Sequence, residues 1–211
     1  MISAETLVLF CVTAFALIIV PGPNMIYIIT RSTSQGRNAG LLSTLGVDVG
    51  TLIHVIAASL GLSALLVSSA LVFSMVKYLG AAYLIYLGFR TWFSKADTLA
   101  ITAQEPASAA RIFFQGTLTN VLNPKVALFF LAFLPQFVDT SHGNVAQQIL
   151  LLGIIFTLIG LTIGLMIALL ASSLGDWLRG KTKVQQIQKW ITGGVYISLG
   201  ISTAFAVSDR K

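Results

Sequence analysis

The sequence predicts an all-α integral membrane protein with six transmembrane helices in two inverted three-helix halves, helices 1 and 4 being broken by proline. Three observations lead there. Of 211 residues, 56% are hydrophobic and only 9% charged, and the mean hydropathy is +0.89, which excludes an ordinary soluble domain of this length. Apolar runs fall near 5–30, 40–61, 70–92, 113–138, 146–171 and 189–207, each close to the roughly 20 residues that a spanning helix needs. Prolines flanked by glycine or asparagine interrupt the first and fourth runs, at Pro21-Gly22-Pro23-Asn24 and at Asn123-Pro124-Lys125.

The first run carries Glu5, lacks a basic leading segment and has no small-residue cleavage site, so it reads as a retained helix and not a secretory signal. Each proline in its break lacks an N–H and clashes with the carbonyl four residues earlier, which frees the carbonyls of Leu17 and Ile19. A helix restarting with Pro23 at its first position leaves the N–H groups of Asn24, Met25 and Ile26 without intrahelical acceptors. Lipid cannot replace either set of partners. Irregular backbone at membrane depth is tolerated only against protein or a wet cavity, so two such breaks point to a transport site. The restarted helix suits a carboxylate through its free N–H groups and dipole, while the freed carbonyls suit an ammonium.

In the second run, Asp48 and His54 are the ionisable residues, six positions apart and within reach of a water-linked proton relay, although a lone membrane histidine is more often a hydrogen-bonded packing residue. Gly46 and Gly50 there, with Gly160 and Gly164 in the fifth run, form small-xxx-small patterns that allow close helix approach and offer faces for a homodimer. Tyr78, Tyr83 and Tyr86 in the third run are candidates for cavity hydroxyls or for interfacial anchors.

The fourth run repeats the logic of the first. Pro124 frees the carbonyl of Asn120, and Asn120 and Asn123 are placed to satisfy broken backbone groups. Lys125 stands in an otherwise apolar helix, where a central charge costs about 3 kcal/mol on insertion scales, so it needs a partner or a cavity. Asp48 is the candidate partner. Either the two form a pair that opens for cargo, or Lys125 holds a carboxylate directly, or the lysine is permanently paired or snorkels to the surface.

Three helices per half set the halves upside down relative to each other, as in inverted-repeat transporters. Counting from the expected helix ends, Pro23, Pro124 and Asp48 lie roughly 10–17 Å below one membrane surface at 1.5 Å per residue. The chain is thus one transmembrane domain over 1–211: a first half to residue 93, a linker over 94–112 and a second half over 113–211. Arg31 and Arg37, then Arg90, Lys95 and Arg111, then Arg179, Lys181, Lys183 and Lys189 mark the first, third and fifth loops as cytoplasmic, with both termini periplasmic. Lys77 near the second connection, and Arg210 and Lys211 at the tail, run mildly against that pattern, and the fourth connection holds Asp139 and His142 but no Lys or Arg. The net charge of +6 reflects this topology and no nucleic-acid partner. Cys11, the single cysteine, excludes disulfide frameworks and thiolate clusters, and no cofactor is indicated.

Pro21-Gly22-Pro23, the stretch Lys77-Tyr78-Leu79-Gly80-Ala81-Ala82-Tyr83-Leu84-Ile85-Tyr86-Leu87-Gly88, and Asn123-Pro124-Lys125 followed by Phe133-Leu134-Pro135-Gln136-Phe137 together resemble the lysine-exporter (LysE/RhtB) family of bacterial amino-acid exporters. The likeness spans essentially the whole chain. It implies a secondary transporter of the cell inner membrane that expels small amino acids or derivatives by proton antiport, and the stretch Gly46 to Gly61 with His54 is most similar to homoserine- and threonine-exporting members. The direction of transport comes from the resemblance alone. The family pattern does not require an acid at Asp48, so a role for it belongs to this protein's own cargo or coupling.

The substrate-binding candidates are therefore Pro21, Gly22, Pro23, Asn24, Asp48, Asn120, Asn123, Pro124 and Lys125, with Asp48 and His54 for proton coupling. Efflux of a metal or other inorganic cation is the alternative, but such a site wants several converging carboxylates, thiolates or histidines. An enzyme is not expected, because no nucleophile stands beside a base at recognisable spacing. A purely structural subunit leaves Lys125 and the paired breaks unexplained.

Overall fold

The structure, a computed structural model, describes residues 2–62, 70–93, 106–139, 144–178 and 182–205. Among these residues the chain is helical throughout, without strands. Helix α1 (Ala4–Ile19) starts at Ser3, whose hydroxyl accepts from Thr6 N at 3.1 Å, with Glu5 favourably placed in the first turn. It stops because Val20 precedes Pro21 and turns extended. Gly22 is extended too, and Pro23 opens α2 (Pro23–Gln35). The axes of α1 and α2 differ by 55°.

The turn from α2 to α3 (Arg37–Ala57) is Gly36 alone, at φ 83°, in the left-handed region that glycine adopts without strain. Arg31, expected in a first loop, is instead inside α2 and only 4% exposed, because α2 continues to Gln35. Past Ala57 the chain widens into a π-helical turn over Ala58–Leu62. Helix α4 covers Ala70–Phe93.

The expected linker over 94–112 ends earlier than anticipated. Ser108 accepts from Arg111 N and starts α5 at Ala109, running to Val121, while residues 94–105 lie outside the described residues. After the second break, α6 (Pro124–Phe137) lies at 45° to α5. It changes from an α-turn to a π-turn at Phe129–Phe133 and a 3₁₀ turn at Leu134–Phe137. Pro135, which lacks a donor and crowds the carbonyl four residues back, accounts for the irregular ladder. Helices α7 (Val145–Leu178) and α8 (Thr182–Phe205) outrun the apolar runs at 146–171 and 189–207 that signalled them.

By length and composition, Arg37–Gly61 and Val145–Ser173 can each cross a membrane, and the two bent pairs raise the number to four if each is one span. The outward faces agree. Val8, Leu9 and Val12 on α1, and Leu151, Ile154 and Leu158 on α7, are about half exposed or more, an arrangement suited to lipid. The multi-pass membrane protein expected from composition is thus supported, although six spans and their inversion go beyond these elements. Lys95, His142, Arg179, Lys181, Arg210 and Lys211, which carried much of the charge reading, lie outside the described residues, and the side chains of Lys77, Lys183 and Lys189 are not described.

The interior has two parts. An aromatic core gathers Phe10 of α1, Phe129, Phe130 and Phe133 of α6 and Phe156 of α7, with Phe129 and Phe156 stacked at 4.6 Å. Beside it, α3 packs on α2, α5 and α7, and α4 packs on α8. Glycine sets these distances: a methyl on Gly46 would stand 2.2 Å from Phe113 O, one on Gly50 2.8 Å from Thr117 O, and one on Gly164 2.6 Å from Thr44 Cγ2. Gly46, Gly50 and Gly164 therefore pack against neighbouring helices of the same chain. Tyr78, Tyr83 and Tyr86 are exposed on α4, which turns its small residues Gly80, Ala81 and Gly88 inward, an arrangement that suits the anchor reading of these tyrosines.

Candidate functional site

The two breaks meet. Asn24, in the first turn of α2, donates from Nδ2 to Asn120 Oδ1 at 2.9 Å, and Asn120 sits one turn before Pro124. Asn120 Nδ2 in turn donates to Val47 O and to Thr51 Oγ1 on α3. One fully buried amide thus joins α2, α3 and α5.

The carbonyls released by proline find the expected kind of partner. Lys125 is 6% exposed, and its Nζ donates to Leu17 O at 3.1 Å and Val20 O at 2.8 Å. Val20 takes the place expected for Ile19, since the chain leaves the helix at Val20 and turns that carbonyl toward the gap. A cation on the last carbonyls of a helix also gains from the helix dipole. The carbonyl of Asn120 accepts from Asn123 N at 2.9 Å and faces His54 Nε2 at 3.1 Å. Asn123 Oδ1 accepts from Lys125 N at 3.0 Å and caps α6.

Lys125 and Asp48, the expected pair, are not joined. Lys125 gives two of its three ammonium N–H groups to the α1 carbonyls, while Asp48, 8% exposed, has an Oδ2 with no hydrogen-bond partner. Both instead line one cavity of about 60 Å³, together with Leu17, Asn24, Met25 and Gly160. Asn24 Oδ1 and Asn123 Nδ2 are likewise buried without partners. Burying such an atom without a partner costs about 1–3 kcal/mol.

The first bond of α2 runs from Ile26 N to Gly22 O at 3.0 Å, which takes Ile26 out of the expected set of free donors. The N–H groups of Asn24 and Met25 precede it and belong to cavity-lining residues. A positive helix end and a carboxylate therefore face the same small space. Gly22 completes the corner: a methyl there would stand 3.4 Å from Lys125 Nζ. Pro21 and Pro23 act by fixing the backbone, and Pro124 does the same for α6 while remaining exposed. His54 lies away from the group lining this cavity, with its ring stacked on Phe130 at 6.0 Å and 9°. That geometry matches the packing reading of this histidine more closely than a relay to Asp48.

Sequence reasoning missed a second, wider cavity of about 570 Å³ lined by Tyr27, Arg31, Arg111, Gln115 and Thr119. Arg31 lies against the Tyr27 ring at 5.8 Å and donates from Nη2 to Gln115 Oε1 at 2.8 Å, while Tyr27 donates to Ile112 O at 2.6 Å. The signal was present: Asn24, Tyr27 and Arg31 recur at helical spacing, one polar stripe on α2. Among the described residues no group of three or more histidine, cysteine or acidic side chains converges as a metal site requires.

Comparison with known proteins fits this arrangement. The family described as LysE type translocator matches residues 15–206, both breaks included. The chain belongs to the LysE-type translocator family. This LysE-type translocator is 32% identical to the uncharacterized membrane protein YrhP of Bacillus subtilis, over 96% of its own length and 100% of the relative's. It is 30% identical to an uncharacterized membrane protein of Vibrio cholerae, and 29% identical to the homoserine/homoserine lactone efflux protein of Salmonella typhimurium, in both cases over 93% of the chain and 95% of the relative. No solved structure matches it.

Proposed function

We propose that this LysE-type translocator exports small neutral amino acids or their derivatives, homoserine-like or threonine-like, across the bacterial inner membrane in exchange for protons. The observation that carries the reading is the unpartnered Asp48 Oδ2 sharing a cavity with the N-terminus of α2 and with Lys125. In this seat the cargo's ammonium meets Asp48, and its carboxylate meets the N–H groups of Asn24 and Met25 beside Lys125. The ammonium thus goes to the acid, since Lys125 already occupies the α1 carbonyls.

A cavity of about 60 Å³ is well below the roughly 300–1,000 Å³ of ligand pockets, so cargo entry requires the helices to part. The hydrogen bond between Asn24 and Asn120 lies on that route, joining the segments that flank the two breaks. Homoserine efflux, named for the Salmonella relative, supports the cargo class. The same proposal includes six spans in two inverted halves, periplasmic termini, and protons carried by Asp48 with His54 as a second candidate.

Counterflow in proteoliposomes, with a panel of amino acids and with or without a pH gradient, tests it. Exchange of homoserine or threonine, accelerated by the gradient, is the expected result. Failure of every amino acid to exchange, with the protein folded, overturns it.

A further inference from the structure

Three glycines lie along the α7 face turned toward α3, and they do different jobs. A methyl on Gly153 would stand 2.5 Å from Val55 Cγ1, and one on Gly164 2.6 Å from Thr44 Cγ2, so both keep the helices close. Gly160 lies between them. A methyl there would meet a single atom within 4 Å, Asp48 Oδ1, at an ordinary contact distance of 3.4 Å. Packing therefore tolerates alanine at this position, and alanine favours a helix interior over glycine. What the missing side chain leaves open is the space against the carboxylate whose Oδ2 has no partner.

We propose that Gly160 sets the size limit of the cargo, with Ile163 of the same cavity as the second wall. The inference rests on the amino-acid export reading and names the residues that give it selectivity. A group hydrogen-bonded to Asp48 lies about 3 Å from the carboxylate, in the shell where the methyl of an alanine at 160 would stand. Cargo and methyl compete for that place, and the competition grows with the bulk carried on the cargo's α-carbon. Ile163, one turn on, lines the cavity as well and closes it from the same helix. Cutting it back opens room without touching Asp48.

The test is counterflow in proteoliposomes with glycine, alanine, threonine and leucine, using the full-length chain, Gly160→Ala and Ile163→Ala. Gly160→Ala is expected to raise KM for the largest transported amino acid at least about tenfold relative to glycine, the scale of one methylene in a fitted pocket. Ile163→Ala is expected to shift the ranking the other way and admit a larger cargo, a gain that misfolding cannot mimic. Gly153→Ala serves as a control: Gly153 is not among the residues lining the cavity, and its methyl collides with Val55, so it lowers stability and transport of all cargos alike. A size ranking unchanged in both Gly160→Ala and Ile163→Ala, while the unaltered protein transports, overturns this inference and leaves the export reading standing. Absence of amino-acid exchange by the unaltered protein overturns both.

Discussion

Asn24 and Asn120, 96 residues apart, are joined side chain to side chain at 2.9 Å. Each belongs to a helix interrupted by proline, so the bond links two irregularities that neither lipid nor the local chain could satisfy. The Asn120 amide also donates to α3, and its main-chain carbonyl takes up the bond that Pro124 withholds. One residue thereby holds the site together from both its side chain and its backbone.

Asn120→Ala is expected to destabilise more than Asn24→Ala. The first removes donors to Val47 O and Thr51 Oγ1 as well as the acceptor for Asn24, whereas the second removes only one bond and an oxygen that has no partner. A loss of about 1–3 kcal/mol for Asn120→Ala follows from leaving buried groups unsatisfied. Thermal unfolding in detergent reads it, at roughly 2–4 °C per kcal/mol for a chain of this size. Equal midpoints for the two variants would contradict the ranking.

Gly46→Ala is a second stability test. Its methyl would be driven to 2.2 Å from the main-chain oxygen of Phe113, which cannot rotate away, so α3 and α5 must separate. A cost of about 1–3 kcal/mol is expected from such overpacking. Gly61→Ala, with nothing within 4 Å of the added methyl, is expected to melt like the unaltered protein. The comparison isolates the close approach from any general effect of replacing glycine.

How far the sequence reached follows from the kind of force involved. Proline acts on its own ladder, so the two breaks, the released Leu17 and Asn120 carbonyls and the need of Lys125 for acceptors were all legible locally. Each apolar run falls on a helix or a bent pair of helices among the described residues, although α2, α7 and α8 extend beyond their runs into polar sequence that hydropathy does not register. Partner choice was not legible. Asp48 and Lys125 were natural partners by charge, yet the α1 carbonyls reach the ammonium first, and only the tertiary fold decides that order. Arg31 counted as a loop cation because Gly36 alone makes a turn too short to announce itself in hydropathy.

His54→Gln is expected to keep export and its acceleration by a pH gradient. The histidine supports the Asn120 carbonyl and stacks on Phe130, and a glutamine amide can still donate to that carbonyl. Counterflow with and without the gradient measures this. If the gradient ceases to matter in His54→Gln while exchange persists, His54 is the coupling residue and the packing interpretation falls.

Asp48→Asn separates stability from transport. Its Oδ2 has no partner to lose, and a neutral amide of the same shape removes a buried charge, so melting is expected to stay level or rise. Transport is expected to fall about 10- to 100-fold, the equivalent of one hydrogen bond to a charged group. A matched drop in melting point and transport would show the carboxylate to be structural.

Lys125→Met distinguishes holding the break from holding the cargo. Homoserine and its lactone both carry an amine, but only homoserine has a free carboxylate, so an ammonium that helps bind that carboxylate discriminates between them. Methionine retains the volume of the lysine stem and removes a costly buried charge, while leaving Leu17 O and Val20 O without their donor. If Lys125 contributes to the seat, homoserine exchange falls about tenfold or more while lactone exchange is spared, since a charge-assisted bond is worth about 1.5–3 kcal/mol. If it only staples the carbonyls of α1, both cargos fall together and the melting point falls with them. Competition counterflow with the two cargos in one vesicle preparation reads the ratio directly, and a ratio unchanged from the unaltered protein removes Lys125 from cargo recognition.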